Sequence, residues 1–223
     1  MRPPTPMKMW AQRVLRLGPS RLALAVAVLF ALLALASPLW SITQDQDGDR
    51  EVSSFYWTTR TQDRFENGVW DGTEILPYSS SRFAERSIAG ALGTAYILDV
   101  VLILVLVVVF ALFSMEHSRT MPALSLLIVS LLVVGVALLA LLFPVVAIPG
   151  AATTDFGTFT VGGFWGSWRT SVPPADWSWG AGLGWWLLFI AVLLGIVGAA
   201  LPYVRSVRAM GPPAPRSWQP PST

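Results

Sequence analysis

"ASPLWSITQDQDGDRE", residues 36–51, passes from apolar to acidic within a few positions, and what precedes it decides the fold. Residues 22–42 carry no charge. A helix needs about 20 residues to cross a hydrocarbon core of about 30 Å, so this run is long enough to span. It continues past Ala36 through Pro38, Leu39, Trp40 and Ile42, which places a tryptophan where interfacial aromatics concentrate. A competing reading is a signal peptide: a basic segment, an apolar run and Ala34-Leu35-Ala36 as the cleavage site. Because the apolar run outlasts Ala36, we expect an intact first span.

Three more apolar runs follow, at about 88–113, 122–148 and 181–204. The chain of 223 residues is 54% hydrophobic and 13% charged, against roughly 25% charged in soluble domains. A backbone in lipid must satisfy its own hydrogen bonds, so runs of this length imply helices. The expected fold is an all-α membrane protein, a four-transmembrane-helix bundle with a small extracellular β-sheet built from two outer loops.

Basic residues set the orientation. Arg2, Lys8, Arg13, Arg16 and Arg21 precede the first span, and Arg205, Arg208 and Arg216 follow the last, with no acid at either end. Residues 43–86 instead carry nine acids, among them Asp45, Asp47, Asp49 and Glu51, against five arginines. Both termini are therefore expected in the cytoplasm of a cell-membrane protein. The division is a basic, Pro-containing N-terminus (1–21), a membrane domain (22–204) with outer loops 43–86 and 149–180, and a Pro-rich tail (205–223). The short segment "SMEHSRT" forms the inner turn, with Ser118 or Thr120 as a cap before Pro122.

The outer loops read as strands. Residues 52–65 are rich in β-branched and aromatic side chains, and Asn67-Gly68 is a strong two-residue hairpin signal leading into 69–76. An isolated hairpin is marginal, so the second loop, with Gly162-Gly163 among alternating Phe, Thr, Val and Trp, is expected to join the same sheet. Asp45, Asp47, Asp49 and Glu51 alternate as oxygen ligands do in a calcium loop, but position six is Arg50 and position twelve is Tyr56. An EF-hand requires Gly and Glu there. A solvated acidic loop is expected.

"SPLW" at the end of the first run and "ENGVW", residues 66–70, resemble the first-helix end and first-loop motif of claudins. "RFAERSIAGAL" and "GAGLGWWLLFIAVLLGIVGA" are similar to small-residue-rich segments of that superfamily, which includes peripheral myelin proteins and calcium-channel gamma subunits. The resemblance implies lateral assembly, cell contact or association with a partner membrane protein. The family motif continues to a cysteine three residues past the tryptophan, where this chain has Thr73 and no cysteine anywhere. A missing disulfide costs about 2–5 kcal/mol.

Trp40, Trp57, Trp70, Trp165, Trp168, Trp177, Trp179, Trp185 and Trp186 all fall on the expected outer side, while Trp10 and Trp218 fall inside. Exposed aromatics supply contact energy, so Trp40, Trp57, Trp70, Trp165 and Trp168, with Gly68 at the hairpin turn, are the candidate contact or structural residues. Most tryptophans also serve to seat the sheet. Small residues at intervals of four (Ala23, Ala27, Ala31; Ala89, Gly93; Ala191, Gly195, Ala199) mark close helix packing.

Asp99 is the one acidic or basic residue inside a span. Its insertion cost of about 2.5–3.5 kcal/mol is outweighed by the surrounding Val, Leu and Ile. A hydrogen bond to Ser130, Tyr96 or a backbone carbonyl is expected, and an ion channel or small transporter using Asp99 is the alternative function. Absence of cysteine and a single histidine, His117, exclude a His/Cys metal site. No catalytic constellation is evident, so we expect a non-enzymatic protein without cofactor. Its expected partners are the bilayer and itself or another membrane protein, not nucleic acid. Pro212 and Pro215 have PxxP spacing, but the tail is expected to be a spacer.

Overall fold

The computed structural model describes residues 18–115, 121–157 and 159–209. In these residues four helices, α1 (Pro19–Leu35), α2 (Arg86–Ser114), α3 (Ala123–Phe156) and α4 (Leu183–Ala209), accompany six strands. The strands are β1 (Trp40–Gln46), β2 (Asp49–Phe55), β3 (Thr59–Glu66), β4 (Val69–Pro77), β5 (Gly166–Ser171) and β6 (Pro174–Ala181). One antiparallel sheet takes all six in the order β4-β3-β2-β1-β6-β5, so both loop segments contribute to it. The all-α expectation is thereby corrected: the chain is mixed, with a sheet on one end of a helix bundle. Three helices, α2, α3 and α4, are long and apolar enough to cross a membrane, and α1 is shorter, at 17 residues.

The opening stretch is where the first helix departs from expectation. The helix ends at Leu35, seven residues before the expected end at Ile42. Pro38 disfavours helical backbone at Ser37 and has no N–H to continue the ladder. Ala36 N–H and Ser37 N–H close the last turn with i→i−3 bonds to the carbonyls of Leu33 and Ala34, while Leu39 N–H already pairs with the Phe55 carbonyl. From Trp40 onward apolar and polar residues alternate, which is a strand period. Trp40 and Ile42 face the bundle and are buried.

Two tight turns carry positive φ at both central positions: Asp47 (54°) and Gly48 (91°), and Asn67 (49°) and Gly68 (78°). Such paired left-handed residues match hairpin twist. The Asn67-Gly68 hairpin is thus where the sequence placed it. The acidic loop, by contrast, is itself a hairpin, β1–β2. The expected single strand over 52–65 is two, β2 and β3, because the chain turns at 56–58 with Tyr56 N–H donating to the Thr59 carbonyl. In the second segment α3 runs to Phe156, eight residues past its expected end, and the strands turn at 172–173 rather than at Gly162-Gly163.

The helices form a closed ring of contacts, α1 with α2 and α4, and α3 with α2 and α4. Ala27, Ala31, Ala191 and Ala199 are fully buried, and a Cβ on Gly195 would lie 2.9 Å from Leu106. These expected small positions are packing positions. Gly93 is not: among the described residues nothing lies within 4 Å of its Cβ direction. Pro202 removes the N–H that would bond the Gly198 carbonyl, and the Ser20 hydroxyl of α1 donates to that carbonyl instead. A helix irregularity is thereby converted into an α1–α4 link.

The end of α3 secures the start of α2. Asp155 accepts from Ser87 N–H through Oδ1 (3.0 Å) and from Ile88 N–H through Oδ2 (2.7 Å). A carboxylate at a helix N-terminus satisfies orphan donors and meets the positive end of the dipole. Asp155→Ala is expected to lower stability by about 1–2 kcal/mol, read as the thermal midpoint of the purified protein. Asp155→Asn, which retains an acceptor oxygen, is expected to lose less.

Candidate contact surface of the sheet

Strand alternation and register sort the side chains into two faces. Trp40, Ile42, Phe55, Leu76 and Trp179 share the bundle-side face and are buried. The opposite face carries Thr43, Asp45, Val52, Ser54, Asp63, Thr73, Ile75, Asp176 and Ser178. Thr73, where the resemblance would require a cysteine, donates its hydroxyl to Asp63 across β3–β4. Three of the four hairpin tips, at 47–48, 67–68 and 172–173, lie at the end of the sheet away from the α1–β1 and β6–α4 connections, and the β2–β3 turn at 56–58 lies at the helix end. Asn67 N–H donates to Asp49 Oδ1 at 3.1 Å and ties two tips together.

The tryptophans divide by role. Four act as fasteners by donating the indole N–H to a backbone carbonyl: Trp40 to Phe164 (3.0 Å) and Trp179 to Gly163 (2.9 Å) tie the sheet to the α3–β5 segment, Trp57 to Ala34 (2.8 Å) ties the β2–β3 turn to α1, and Trp185 to Leu141 (3.3 Å) ties α4 to α3. A buried indole combines large apolar area with one directional donor. Of the contact or structural role expected of them, Trp40 and Trp57, both buried, take the structural part. Trp57 lies in the β2–β3 turn, and its ring meets Tyr96 of α2 at 6.2 Å.

Trp70 has the opposite placement. Rather than joining a packed face, it lies opposite Phe65 on β3 and is 60% exposed. Its neighbours on β4, Val69 (70%) and Ile75 (63%), are exposed as well. β4 is a sheet edge, so one side of its backbone has no strand partner among the described residues. Trp165, Trp168 and Trp186 are also exposed. Trp165 meets Trp185 edge-on at 5.2 Å, and Trp168 stacks on Phe159 at 4.9 Å.

Where β3 meets the linker into α2, Arg60 pairs with Glu85, donates to Gln62 Oε1 at 2.8 Å and lies 5.7 Å from the Phe83 ring centre. Tyr78 donates to the Tyr56 carbonyl, and burial pushes its phenol well above the ordinary range, opposed by Arg60 and aided by Glu85. On the other side of the sheet Arg169 pairs with Asp176, and that hydrogen bond holds the Asp176 carboxyl below the usual carboxylate range. Hydropathy and motif spacing carry no signal for the Arg60–Glu85 pair, whose members are 25 residues apart.

Asp99 is fully buried in the apolar stripe of α2, between Ala95 and Leu102. Neither carboxyl oxygen has a hydrogen-bond partner among the described residues. The expected donor Ser130 is committed elsewhere, bonding the Leu126 carbonyl (2.7 Å) and the Ala199 carbonyl (2.9 Å). An unpartnered buried polar group costs about 1–3 kcal/mol. Asp99→Leu is therefore expected to raise the thermal midpoint, and Asp99→Asn to leave the folded monomer intact. Loss of the monomer in Asp99→Asn, measured by size-exclusion chromatography, would show that the carboxylate is required. His117, Ser118, Thr120, Trp10, Trp218 and both Pro-rich ends lie outside the described residues.

The chain matches no protein-family model and no curated protein.

Proposed function

We propose that this chain is a non-enzymatic, claudin-like four-span membrane protein whose outer sheet mediates lateral assembly, cell contact or association with a partner membrane protein. The membrane part is supported by the outward faces of the helices. Ile97, Leu104 and Val108 of α2, Leu131 and Val146 of α3 and Val197 of α4 are all exposed, and a patch of that extent belongs against lipid. In this reading α1 is the fourth span, since its 17 residues reach the lower end of the spanning range of about 17–25. The sheet joins the C-terminal ends of α1 and α3 and the N-terminal ends of α2 and α4. The basic ends then lie in the cytoplasm and the sheet outside, in the cell membrane. At 1.5 Å per residue, the 34 residues of α3 measure about 51 Å, and part of the helix projects beyond a core of about 30 Å.

The contact role is supported by one observation: an edge strand, paired on one side only among the described residues, that bears exposed Val69, Trp70 and Ile75. Aromatic and β-branched residues at an edge supply contact energy, and the nearby acids and arginines select the partner. The channel alternative rests on Asp99, which is enclosed in the bundle stripe.

Crosslinking in native membranes tests the assignment. Trp70→Ala is expected to reduce crosslinked species about tenfold or more, the usual scale for an interfacial tryptophan. Gly68→Val, forced into a positive φ of 78°, is expected to reduce them while membrane insertion persists. A protein that crosslinks to nothing yet conducts ions when reconstituted alone would replace assembly with the channel function.

A further inference from the structure

On the bundle-side face of β5, β6 and β1, toward the 172–173 tip, lies a groove of about 470 Å³. Two cross-strand rows build it. Trp168 pairs with Trp177 and Trp177 with Gln44, and in the next row Thr170 pairs with Ala175, beside Gln46. Phe159 backs the tryptophans, stacked on Trp168 at 4.9 Å and tilted against Trp177 at 5.2 Å, so the rings are held before any ligand arrives. Gln44 Nε2 donates to Gln46 Oε1 at 3.2 Å, which fixes the two amides against each other in the groove wall. The Trp177 indole N–H is buried with no acceptor among the described residues.

We propose that this groove binds an uncharged saccharide. A pyranose presents a flat C–H face, which the negative face of an indole attracts, and hydroxyls that both donate and accept. Glutamine amides answer with one acceptor and two donors each. Among the described residues the one cation in the wall, Arg169, is paired with Asp176, so a phosphate or carboxylate ligand finds no free charge there. A purely apolar ligand would strand the two amides.

The full chain in detergent is titrated with maltotriose, cellotriose and N-acetylglucosamine trimer, followed by saturation-transfer NMR. In parallel it is placed in phosphatidylcholine nanodiscs with and without a monohexosyl diacylglycerol, and lipid retention is read by native mass spectrometry. Binding in either arm is expected, and the arm identifies a soluble glycan or a glycolipid headgroup as the source. Trp168→Ala is expected to weaken it about tenfold, Trp168→Phe less, and Gln44→Leu comparably to Trp168→Ala. Trp70→Ala, remote from the groove, is expected to bind as wild type. Gln44→Leu, on a half-buried position, keeps the test valid if Trp168→Ala does not fold. No binding in either arm, or equal binding by a folded Trp168→Ala or Gln44→Leu variant, would overturn the proposal.

Discussion

Glu85→Ala is expected to destabilise the protein by about 3–5 kcal/mol, because it strands the Arg60 guanidinium in a buried site. The Arg60 and Glu85 side chains are only 13% and 14% exposed, so solvent does little to screen or replace the interaction. Arg60 would retain the Gln62 carbonyl and the Phe83 ring, neither of which neutralises it. The intact pair is itself incompletely satisfied, since Arg60 Nε and Glu85 Oε2 have no hydrogen-bond partner among the described residues. Exchanging both partners for apolar residues of similar volume, Arg60→Met with Glu85→Leu, is therefore expected to recover most of the loss. Chemical denaturation of wild type, the two single variants and the double variant measures the coupling. A single-variant cost under about 1 kcal/mol would place the pair among solvated surface bridges.

The second large effect is expected at Gly182, the residue between β6 and α4. Its N–H donates to the Leu39 carbonyl at 2.9 Å, and two residues later Gly184 N–H donates to the Pro38 carbonyl at 2.8 Å. These bonds join the α1–β1 connection to the β6–α4 connection. A Cβ on Gly182 would sit 2.2 Å from the Pro38 carbonyl oxygen and 2.8 Å from its carbon. Both are backbone atoms already engaged, so relief requires the two connections to separate. Gly182→Ala is expected to cost about 3 kcal/mol, the upper part of the range for overpacking, and Gly182→Val more. Gly90, in α2, has nothing among the described residues within 4 Å of its Cβ direction. Gly90→Ala is expected to gain up to about 1 kcal/mol from reduced backbone entropy. Thermal midpoints of the purified variants distinguish the two glycines, and a neutral Gly182→Ala would mean that the junction yields.

Local chemistry was legible where one short segment determines its own conformation. Asn67-Gly68 forms its turn because both residues tolerate the required positive φ. The alternation in WSITQDQ also states a strand, but the apolar run before it masked the change of period, and Pro38 was the residue that marked it. The β-branched stretch 52–65 hid a turn because tyrosine, tryptophan and threonine at 56–58 are good strand formers whose local preference yields to the placement of the Trp57 indole on the Ala34 carbonyl.

Amino-acid order alone determined the apolar runs, the basic ends and the Asn67-Gly68 turn, since each follows from composition, period or φ preference over a few residues, whereas the pairing of β1 with β6 joins segments far apart in the chain. Tertiary structure decided which indoles are fasteners and which are exposed, that Asp155 caps a helix 67 residues away, and that Asp99 meets no donor among the described residues. Those outcomes depend on which backbone carbonyls and amides the folded chain brings within about 3 Å of a side chain, and hydrogen bonding at that range is set by packing rather than by neighbours in sequence.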